Sequence, residues 1–206
     1  VLALESSEVN EALFTALAKG ADRAIKIVGA EASLTTRGMA SVFAQVIEGD
    51  PELKPADLIL TGVRTIADLD GPLAPLLARR LRLPHVGVIG KVWVDYSGRT
   101  VTVMREYPEG IRGEFEIQLP AVLGIQAAEK PPRYAPVGRV REAMAHFAVE
   151  DVPSPAISES PVPSPQVIEM RKPGVSAHAE MLTGSPELVA RKFRDILAER
   201  GLAPGA

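Results

Sequence analysis

The sequence of 206 residues lacks cysteine and contains only three histidines, His85, His146 and His178. Without cysteine, the chain has no disulfides, no thiolate nucleophile and no cysteine-ligated metal site. The histidines are far apart and lack the HExxH spacing of a zinc-binding helix, so we predict no metal site. His178 has serines nearby, but no GxSxG turn presents one as a nucleophile, and we assign no catalytic residue.

Aromatic residues make up only 4% of the chain, and the formal net charge is −3. Nucleic-acid-binding proteins need a basic surface, so this charge argues against that class. No apolar run is long enough to span a bilayer, and the N-terminus does not resemble a signal peptide. Because 46% of the residues are hydrophobic, enough to form a buried core, the composition favours a cytoplasmic globular protein.

The first half of the chain alternates short apolar runs with helical periodicity. Strands are predicted at residues 1–4, 25–28, 58–60 and 84–89, with amphipathic helices between them. The chain begins within the first of these runs, which is typical of a strand already under way, so truncation or an upstream segment is expected. We predict that Ser6 or Ser7 caps the first helix and that Gly20 ends it in a left-handed conformation. Strands separated by helices predict right-handed βαβ units and a parallel sheet.

The second half departs from this alternation. Residues 91–95 and 100–107 alternate apolar and polar side chains around a glycine-containing turn, which predicts a β-hairpin. Residues 114–119 predict a third antiparallel strand, and residues 121–125 return to the parallel sheet. The predicted fold class is therefore α/β: a doubly wound, mostly parallel sheet that carries an antiparallel excursion.

The C-terminal quarter is less regular. A proline-rich stretch leads into a short helix that carries Val140, Met144 and Phe147. Residues 152–165 contain five prolines and cannot form a regular helix, so an extended arm is predicted there. We divide the chain into an α/β domain, residues 1–150, and an extended arm with a terminal helix, residues 151–206.

The terminal helix is predicted from its cap and its apolar spacing. Ser185 is placed to cap it, and Pro186 falls in its first turn. Its inward side chains are expected to be Leu188, Val189, Phe193, Ile196 and Leu197. A long arm that ends in such a helix suggests docking onto another surface, in this chain or in a partner.

The strongest candidate site from the residues alone is the connection at residues 61–73, TGVRTIADLDGPL. It follows a buried strand and precedes a helix, where ligands bind in open α/β sheets and where a helix N-terminus favours phosphate. Gly62 and Gly71 permit close backbone approach. The segment is also consistent with an ordinary strand-to-helix connection. Asp68 and Asp70 fit either an acid–base pair or turn and cap residues.

Basic side chains form a second candidate site. Arg133, Arg139 and Arg141 surround Tyr134 on an irregular segment, a pattern typical of a protein-docking patch or of a solvated helix face. Arg105 follows a strand and is compatible with contact to a cofactor phosphate, to a partner carboxylate or to a surface ion-pair partner.

Several blocks in this order resemble the β subunit of electron transfer flavoproteins. They are ALAKGADRAI (16–25), ADLILTG (56–62), LARRLRLP (77–84), VTVMREYPEG (101–110), LPAV (119–122) and PPRYAPVGRVREA (131–143). Their order and spacing match those of the family across the whole chain. The family's N-terminal strand and helix region is missing and would precede Val1.

The resemblance implies an electron carrier rather than an enzyme, with a fold related to adenine-nucleotide-binding domains. Such a β subunit pairs with an α subunit that holds most of the FAD. The heterodimer takes electrons from dehydrogenases, such as the acyl-CoA dehydrogenases of fatty acid oxidation, to a membrane quinone oxidoreductase. It is cytoplasmic in bacteria and lies in the mitochondrial matrix of eukaryotes. Two alternatives remain: a nucleotide-binding α/β module without a redox role, and an assembly-only β subunit that has lost its AMP.

The family's β subunit typically buries an AMP, which a second FAD replaces in electron-bifurcating members. By position, the resemblance implies a nucleotide pocket formed by Leu4, Thr65, Asp68, Gly71, Pro72 and Leu73. The family usually has a polar triplet where this chain has Gly-Pro-Leu, and Gly-Pro where it has Glu5-Ser6. Proline lacks an N–H, leucine lacks a hydroxyl, and Glu5 would repel a phosphate. We therefore expect the pocket to be weakened or empty.

The segment PRYAPVG matches the family's partner-recognition loop, in which a leucine enters a pocket of the dehydrogenase. Val137 stands at that position here, smaller by one methylene. The implied partner-binding residues are Arg133, Tyr134, Val137, Arg139 and Arg141. The C-terminal arm and helix are implied to wrap onto the α subunit beside the flavin.

Overall fold

The computed structural model describes residues 1–30, 34–64, 71–157, 168–169, 171–172, 174 and 181–202. The chain divides into two compact units, Val1–Gln166 and Val167–Ala206. No described helix is both long and apolar enough to cross a membrane.

Apart from a strand at Glu150–Pro153 that was not predicted, the strands and helices of the first unit follow the predicted order, and the α/β class is confirmed. The strands are β1 (Leu2–Leu4), β2 (Ile25–Val28), β3 (Leu58–Gly62), β4 (His85–Asp95), β5 (Thr100–Glu106), β6 (Arg112–Gln118), β7 (Ala121–Ile125) and β8 (Glu150–Pro153). The helices are α1 (Val9–Ala18), α2 (Thr36–Gly49), α3 (Leu73–Leu81) and α4 (Val137–His146). The second unit contains α5 (Pro186–Glu199).

The strands form two sheets. In the first sheet, β2 pairs in parallel with β1 on one side and with β8 on the other. The second sheet has the order β3-β7-β4-β5-β6. Its first three strands are parallel, and β5 and β6 form the predicted antiparallel excursion. Among the described residues no ladder joins β1 to β3, so the mostly parallel architecture is interrupted between them.

The strand β4 is longer than predicted, because the run at residues 84–89 and the first hairpin strand are continuous. Its pairing with β7 shifts register between Gly87 and Ile89, and Val88 between them has a φ of +62°. Such irregularities bend a strand. The first part of β4 therefore belongs to the parallel sheet, while its second part pairs antiparallel with β5.

Helices cover both faces of the first sheet. Ala3 packs with α1 and α4, whereas Leu2 and Leu4 pack with α2. Because successive side chains of a strand point to opposite faces, these helices lie on opposite sides of the sheet. α2 also packs against α3, through Ala40, Ala44 and Leu77.

Two of the three predicted helix caps are present in the structure. α1 begins after Glu8 with no side-chain cap bond, so the prediction of a Ser6 or Ser7 cap is wrong. Gly20 follows the helix with a φ of +100°, as predicted. At α5 the Ser185 hydroxyl accepts a hydrogen bond from the Leu188 N–H at 3.4 Å, which confirms the predicted cap.

The apolar side chains of α5 were predicted to face inward. None of its described side chains is buried in the structure, and Leu188 and Phe193 are exposed. The amphipathic pattern of the predicted helix is therefore present. In α4 the buried residue is Ala143, whereas Met144 and Phe147 are exposed.

Candidate functional site

The first candidate site lies at the carboxyl ends of β1 and β3. Leu4 is the last residue of β1, and its half-buried side chain packs with Ile27 and Val42. It can therefore supply an apolar wall but no polar contact. Thr65 and Asp68, predicted for the same pocket, lie outside the described residues, as does Asp70.

Glu5 lies in the turn after β1, where it was expected to repel a nucleotide phosphate. Its Oε2 accepts a hydrogen bond from the Gly29 N–H at 3.1 Å, and its own N–H donates to the Ile27 carbonyl at 2.9 Å. The Glu5 carboxylate thus holds a backbone donor that an anion would need. A phosphate here would meet a negative charge and a donor already engaged.

Gly71 brings the start of α3 close to the end of β3. A Cβ at position 71 would lie 2.7 Å from the carbonyl oxygen of Val63, a separation that side chains do not tolerate. Only glycine permits this close approach. A polar side chain at position 71 would therefore require the connection to move.

The N-terminus of α3 is poor in hydrogen-bond donors. Pro72 precedes the helix without a side-chain cap bond, and Pro75 lies in its first turn. A helix normally leaves its first four N–H groups free, but proline has none. Two of those four positions here, 72 and 75, are proline. The described residues of the predicted pocket therefore fit a nucleotide phosphate poorly.

Leu73 belongs to a different environment from Leu4. With Thr61 and Gly62 it lines a cavity of about 470 Å³ between β1 and β3. Its side chain also packs in the cluster of α2 and α3 that contains Ala40 and Leu77. Leu73 therefore lies beside β3, whereas Leu4 packs against α2.

The second candidate site is residues 131–147, the proline-rich stretch and α4. Ala143 anchors it by packing against Leu13 and Leu17 of α1. The Arg133 guanidinium reaches the end of α1, where a Cβ at position 20 would lie 3.7 Å from its Nη1. The C-terminal end of a helix carries partial negative charge, which favours a cation at this position.

Most of the remaining side chains of this segment are exposed. Tyr134 is 82% exposed and Val137 is 64% exposed, and Arg139 and Arg141 are also exposed. The half-exposed Met144 and Phe147 add apolar area. We call this set of exposed residues on segment 131–147 the α4 surface. All five predicted partner-binding residues lie on this one anchored segment, next to exposed apolar side chains.

The sequence did not predict that His85 and Arg105, both half-buried, lie close together. His85 begins β4, and its Nε2 is buried without a hydrogen-bond partner among the described residues. Burial, and then the positive charge of Arg105, lowers the pKa of His85. The Arg105 guanidinium lies 5.0 Å from the ring centre of Tyr107, and its Nε is likewise buried without a described partner. Residue 85 lies in an apolar run, so no local signal indicated this pairing.

Metal ligands do not cluster in the described part of the chain: no three His, Asp or Glu side chains there are placed to hold an ion. The described residues therefore offer docking surfaces and backbone turns rather than a metal centre.

The sequence of the first unit matches a known protein family. Residues 1–156 match the family described as "Electron transfer flavoprotein domain". The chain belongs to this family. The resemblance carried by the ordered sequence blocks is thereby confirmed.

Two of the similar proteins in this family are named as beta subunits. The chain is 29% identical over 195 residues to an electron transfer flavoprotein subunit beta of Syntrophomonas wolfei, a match that covers 95% of this chain and 72% of that protein. It is 28% identical over 148 residues to the corresponding subunit of Methylophilus methylotrophus, covering 69% and 53%. It is also 26% identical over 212 residues to Protein FixA of Bradyrhizobium diazoefficiens, covering 96% and 71%. The chain thus matches between about half and three quarters of the length of these relatives.

Proposed function

We propose that this chain is the β subunit of a heterodimeric electron transfer flavoprotein and acts as an electron carrier with a FAD-bearing α subunit. The observation that supports this most is the α4 surface, an exposed apolar and basic segment that is anchored on α1. The chain that carries it is similar to a β subunit. When bound by the α subunit, FAD supplies the group that accepts and donates electrons. The chain itself supplies the scaffold and the docking surface.

The α4 surface is proposed to dock a dehydrogenase, of the acyl-CoA type or a related one, which delivers electrons. Tyrosine and arginine are enriched among the residues that dominate protein interfaces, and Tyr134, Arg139 and Arg141 are exposed here. Val137, also exposed, supplies an apolar side chain beside them. Because Arg133 and Ala143 hold the segment on α1, little ordering is needed on binding.

Electron delivery to a quinone oxidoreductase completes the proposed role.

The apolar face of α5 is proposed to dock on the α subunit, since Leu188 and Phe193 are exposed on an amphipathic helix. This arrangement leaves the α4 surface for the redox partner, so subunit assembly and electron transfer depend on different residues.

A nucleotide is proposed to be weakly bound by this subunit, or absent. The Glu5 carboxylate at the Gly29 N–H and the prolines around the start of α3 both support this. The same features are compatible with a subunit retained for assembly alone, which would still form a flavin-containing heterodimer.

Co-expression tests the proposal directly. The chain is produced together with an electron transfer flavoprotein α subunit, and purification is expected to yield a yellow heterodimer. Its flavin should be reduced by a dehydrogenase with substrate and reoxidised through a quinone oxidoreductase. A yellow heterodimer without electron transfer would favour the assembly role. A colourless chain that binds ATP or AMP alone would contradict the proposal and favour a nucleotide-binding module.

A further inference from the structure

Arg105 is a half-buried cation without a counter-charge among the described residues. Its Nε is buried there without a hydrogen-bond partner, and no ion pair in the described part of the chain includes it. The neighbouring Glu106 pairs instead with Arg112, at 3.3 Å. The surface ion pair considered for Arg105 is therefore not formed by these residues. A cation partly withdrawn from water is costly unless it is paired, so this one is suited to an anionic ligand from elsewhere.

Strand pairing explains why Arg105 and Glu106 differ. Arg105 lies opposite Gly113 of β6, in the row of side chains that continues into the core at Val103. Because side chains alternate along a strand, Glu106 lies on the other face, opposite Arg112. Arg105 therefore stands at the rim of the apolar core, with its Nε covered and its Nη1 and Nη2 open to solvent.

Aromatic rings hold the guanidinium of Arg105 in place. It lies 5.0 Å from the ring centre of Tyr107. A Cβ at position 113 would lie 3.1 Å from Cε2 of Tyr107 and 3.1 Å from Cε2 of Phe115, so the absence of a side chain at Gly113 leaves room for both rings. A guanidinium stacked on a fixed ring is preorganised, which lowers the entropy lost when a ligand binds.

The surface around this guanidinium is aromatic and accessible. Tyr107 is 37% exposed and Phe115 is 38% exposed. Arginine and tyrosine are enriched among the residues that dominate protein interfaces. We call Arg105, Tyr107 and Phe115 the β5–β6 patch. Its charge complements a carboxylate, and its rings complement an aliphatic side chain beside that carboxylate.

We propose that the β5–β6 patch binds an acidic side chain of a partner protein, with the carboxylate on the Arg105 guanidinium and flanking aliphatic side chains on Tyr107 and Phe115. The inference does not rest on the proposed function, because it involves no residue of the α4 surface and no flavin.

A protein carboxylate fits the patch better than other occupants. A phosphate is commonly held by backbone N–H groups, but β5 lies between β4 and β6, so its backbone is engaged. A free small carboxylate would leave the rings of Tyr107 and Phe115 in water. A second copy that paired antiparallel along β6 about Phe115 would place Glu114 of one chain opposite Glu116 of the other, and like charges there are destabilising.

Nuclear magnetic resonance of the full chain tests the proposal. The Arg105 Nε–H is buried, so its proton should exchange slowly and give a resonance that reports on binding. The probe is the capped peptide Ser-Leu-Glu-Leu-Ser, and its control has glutamine in place of glutamate. The glutamate peptide is expected to shift this resonance and to bind about tenfold more tightly than the control, because hydrogen bonds between charged groups are stronger.

Three results of this titration would overturn the proposal. They are no shift of the Arg105 Nε–H resonance, equal binding of the two peptides, and binding of acetate alone as tight as that of the glutamate peptide. The last result would show a site for a free small carboxylate.

Substitutions give a second test, read from the backbone amide shifts of β5 and β6. Arg105→Gln should abolish the preference for the glutamate peptide. Arg112→Gln, at an exposed arginine on the opposite face of the same strand pair, should keep it. Phe115→Ala retains the charge and, by removing apolar contact, should weaken both peptides by up to about tenfold.

The proposal fails if Arg105→Gln keeps the preference for glutamate or if Arg112→Gln loses it equally. Unaltered binding of both peptides in Phe115→Ala would also contradict it, and this variant keeps the test decisive should Arg105→Gln not fold. A dimer in sedimentation that Arg105→Gln dissociates would assign the patch to a second copy of the chain instead.

Discussion

The guanidinium of Arg133 lies against Gly20, so that a Cβ at position 20 would be 3.7 Å from Nη1 and 3.8 Å from Nη2. These residues are far apart in sequence and belong to two of the blocks that resemble the family, ALAKGADRAI and PPRYAPVGRVREA. Gly20 follows the last turn of α1, and Arg133 precedes α4. The contact therefore ties the docking segment to the end of a core helix.

Gly20→Ala tests the backbone requirement at this junction. With a φ of +100°, any residue with a Cβ is strained, and we expect the free energy of unfolding to fall by about 1–2 kcal/mol. The matched control is Gly49→Ala, which lies in α2 with no atom near the added methyl. The control should be neutral or stabilising by up to about 1 kcal/mol. Urea unfolding measures both, and equal effects of the two substitutions would refute the strain argument.

Val137→Ala and Arg141→Glu test the α4 surface. Removing apolar area from Val137 should slow flavin reduction by the partner dehydrogenase by up to about tenfold. Arg141→Glu should slow it most at low ionic strength, because salt screens exposed charges. Ile111→Ala and Arg37→Glu, at exposed positions elsewhere, should leave the rate unchanged.

The readout for these variants is the rate constant for flavin reduction against dehydrogenase concentration. Gel filtration of each heterodimer checks that the α subunit remains bound. Unchanged transfer rates in both α4-surface variants, or loss of the α subunit, would exclude the proposed docking role.

Nucleotide content tests the weakened pocket. Denaturing the purified heterodimer should release flavin without stoichiometric AMP, since Glu5 engages the Gly29 N–H and Pro72 offers no donor. The double variant Glu5→Gln with Pro72→Gln should bind AMP about tenfold more tightly in calorimetry, because it removes one charge and restores one N–H. Glu48→Gln, at an exposed position of α2, is the control. Stoichiometric AMP in the natural protein would show that the pocket is intact.

The lowered pKa of His85 predicts that the stability of the protein depends on pH. Its pKa is lowered in the folded protein from the ordinary value of 6.5, first by burial and then by Arg105. The unfolded chain therefore binds the proton more readily than the folded one. Stability is fully present above about pH 6.5 and is lost as the pH falls towards the folded pKa. His85→Gln should lose less stability than the natural protein between pH 7.5 and pH 5.5, values chosen about one unit either side of 6.5.

Urea unfolding at the two pH values measures this difference. His146→Gln is the matched control, because His146 is exposed at the end of α4, and it should retain the loss seen in the natural protein. Equal losses in His85→Gln and in the natural protein would argue against a role for His85.

Local patterns were sufficient for most element types. The spacing of Leu13 and Leu17 predicted α1, and alternation around the hairpin turn predicted β4 and β5. The Ser185 cap was also predictable, because the hydroxyl and the N–H that it accepts are three residues apart. The predicted serine cap of α1 is absent because the helix begins after Glu8, so neither Ser6 nor Ser7 occupies the N-cap position.

The candidate sites were only partly predictable. The connection before α3 and the basic segment were found from residue types alone, since glycine, proline and arginine are conspicuous there. The Glu5–Gly29 hydrogen bond was not predictable, because it depends on how the turns after β1 and β2 meet. The partial burial of His85 beside Arg105 likewise depends on the pairing of the first part of β4 with β7, a strand that is distant from it in the sequence.

The sequence by itself determined the alternation of strands and helices, the resemblance to the family and the departures at Glu5 and at residues 71–73. These depend on residue identity and on spacing within a few positions. Only the tertiary structure decided that no ladder joins β1 to β3 among the described residues and that Arg133 reaches Gly20. Both are relationships between segments far apart in the chain, and they follow from how helices and sheets pack rather than from any local pattern.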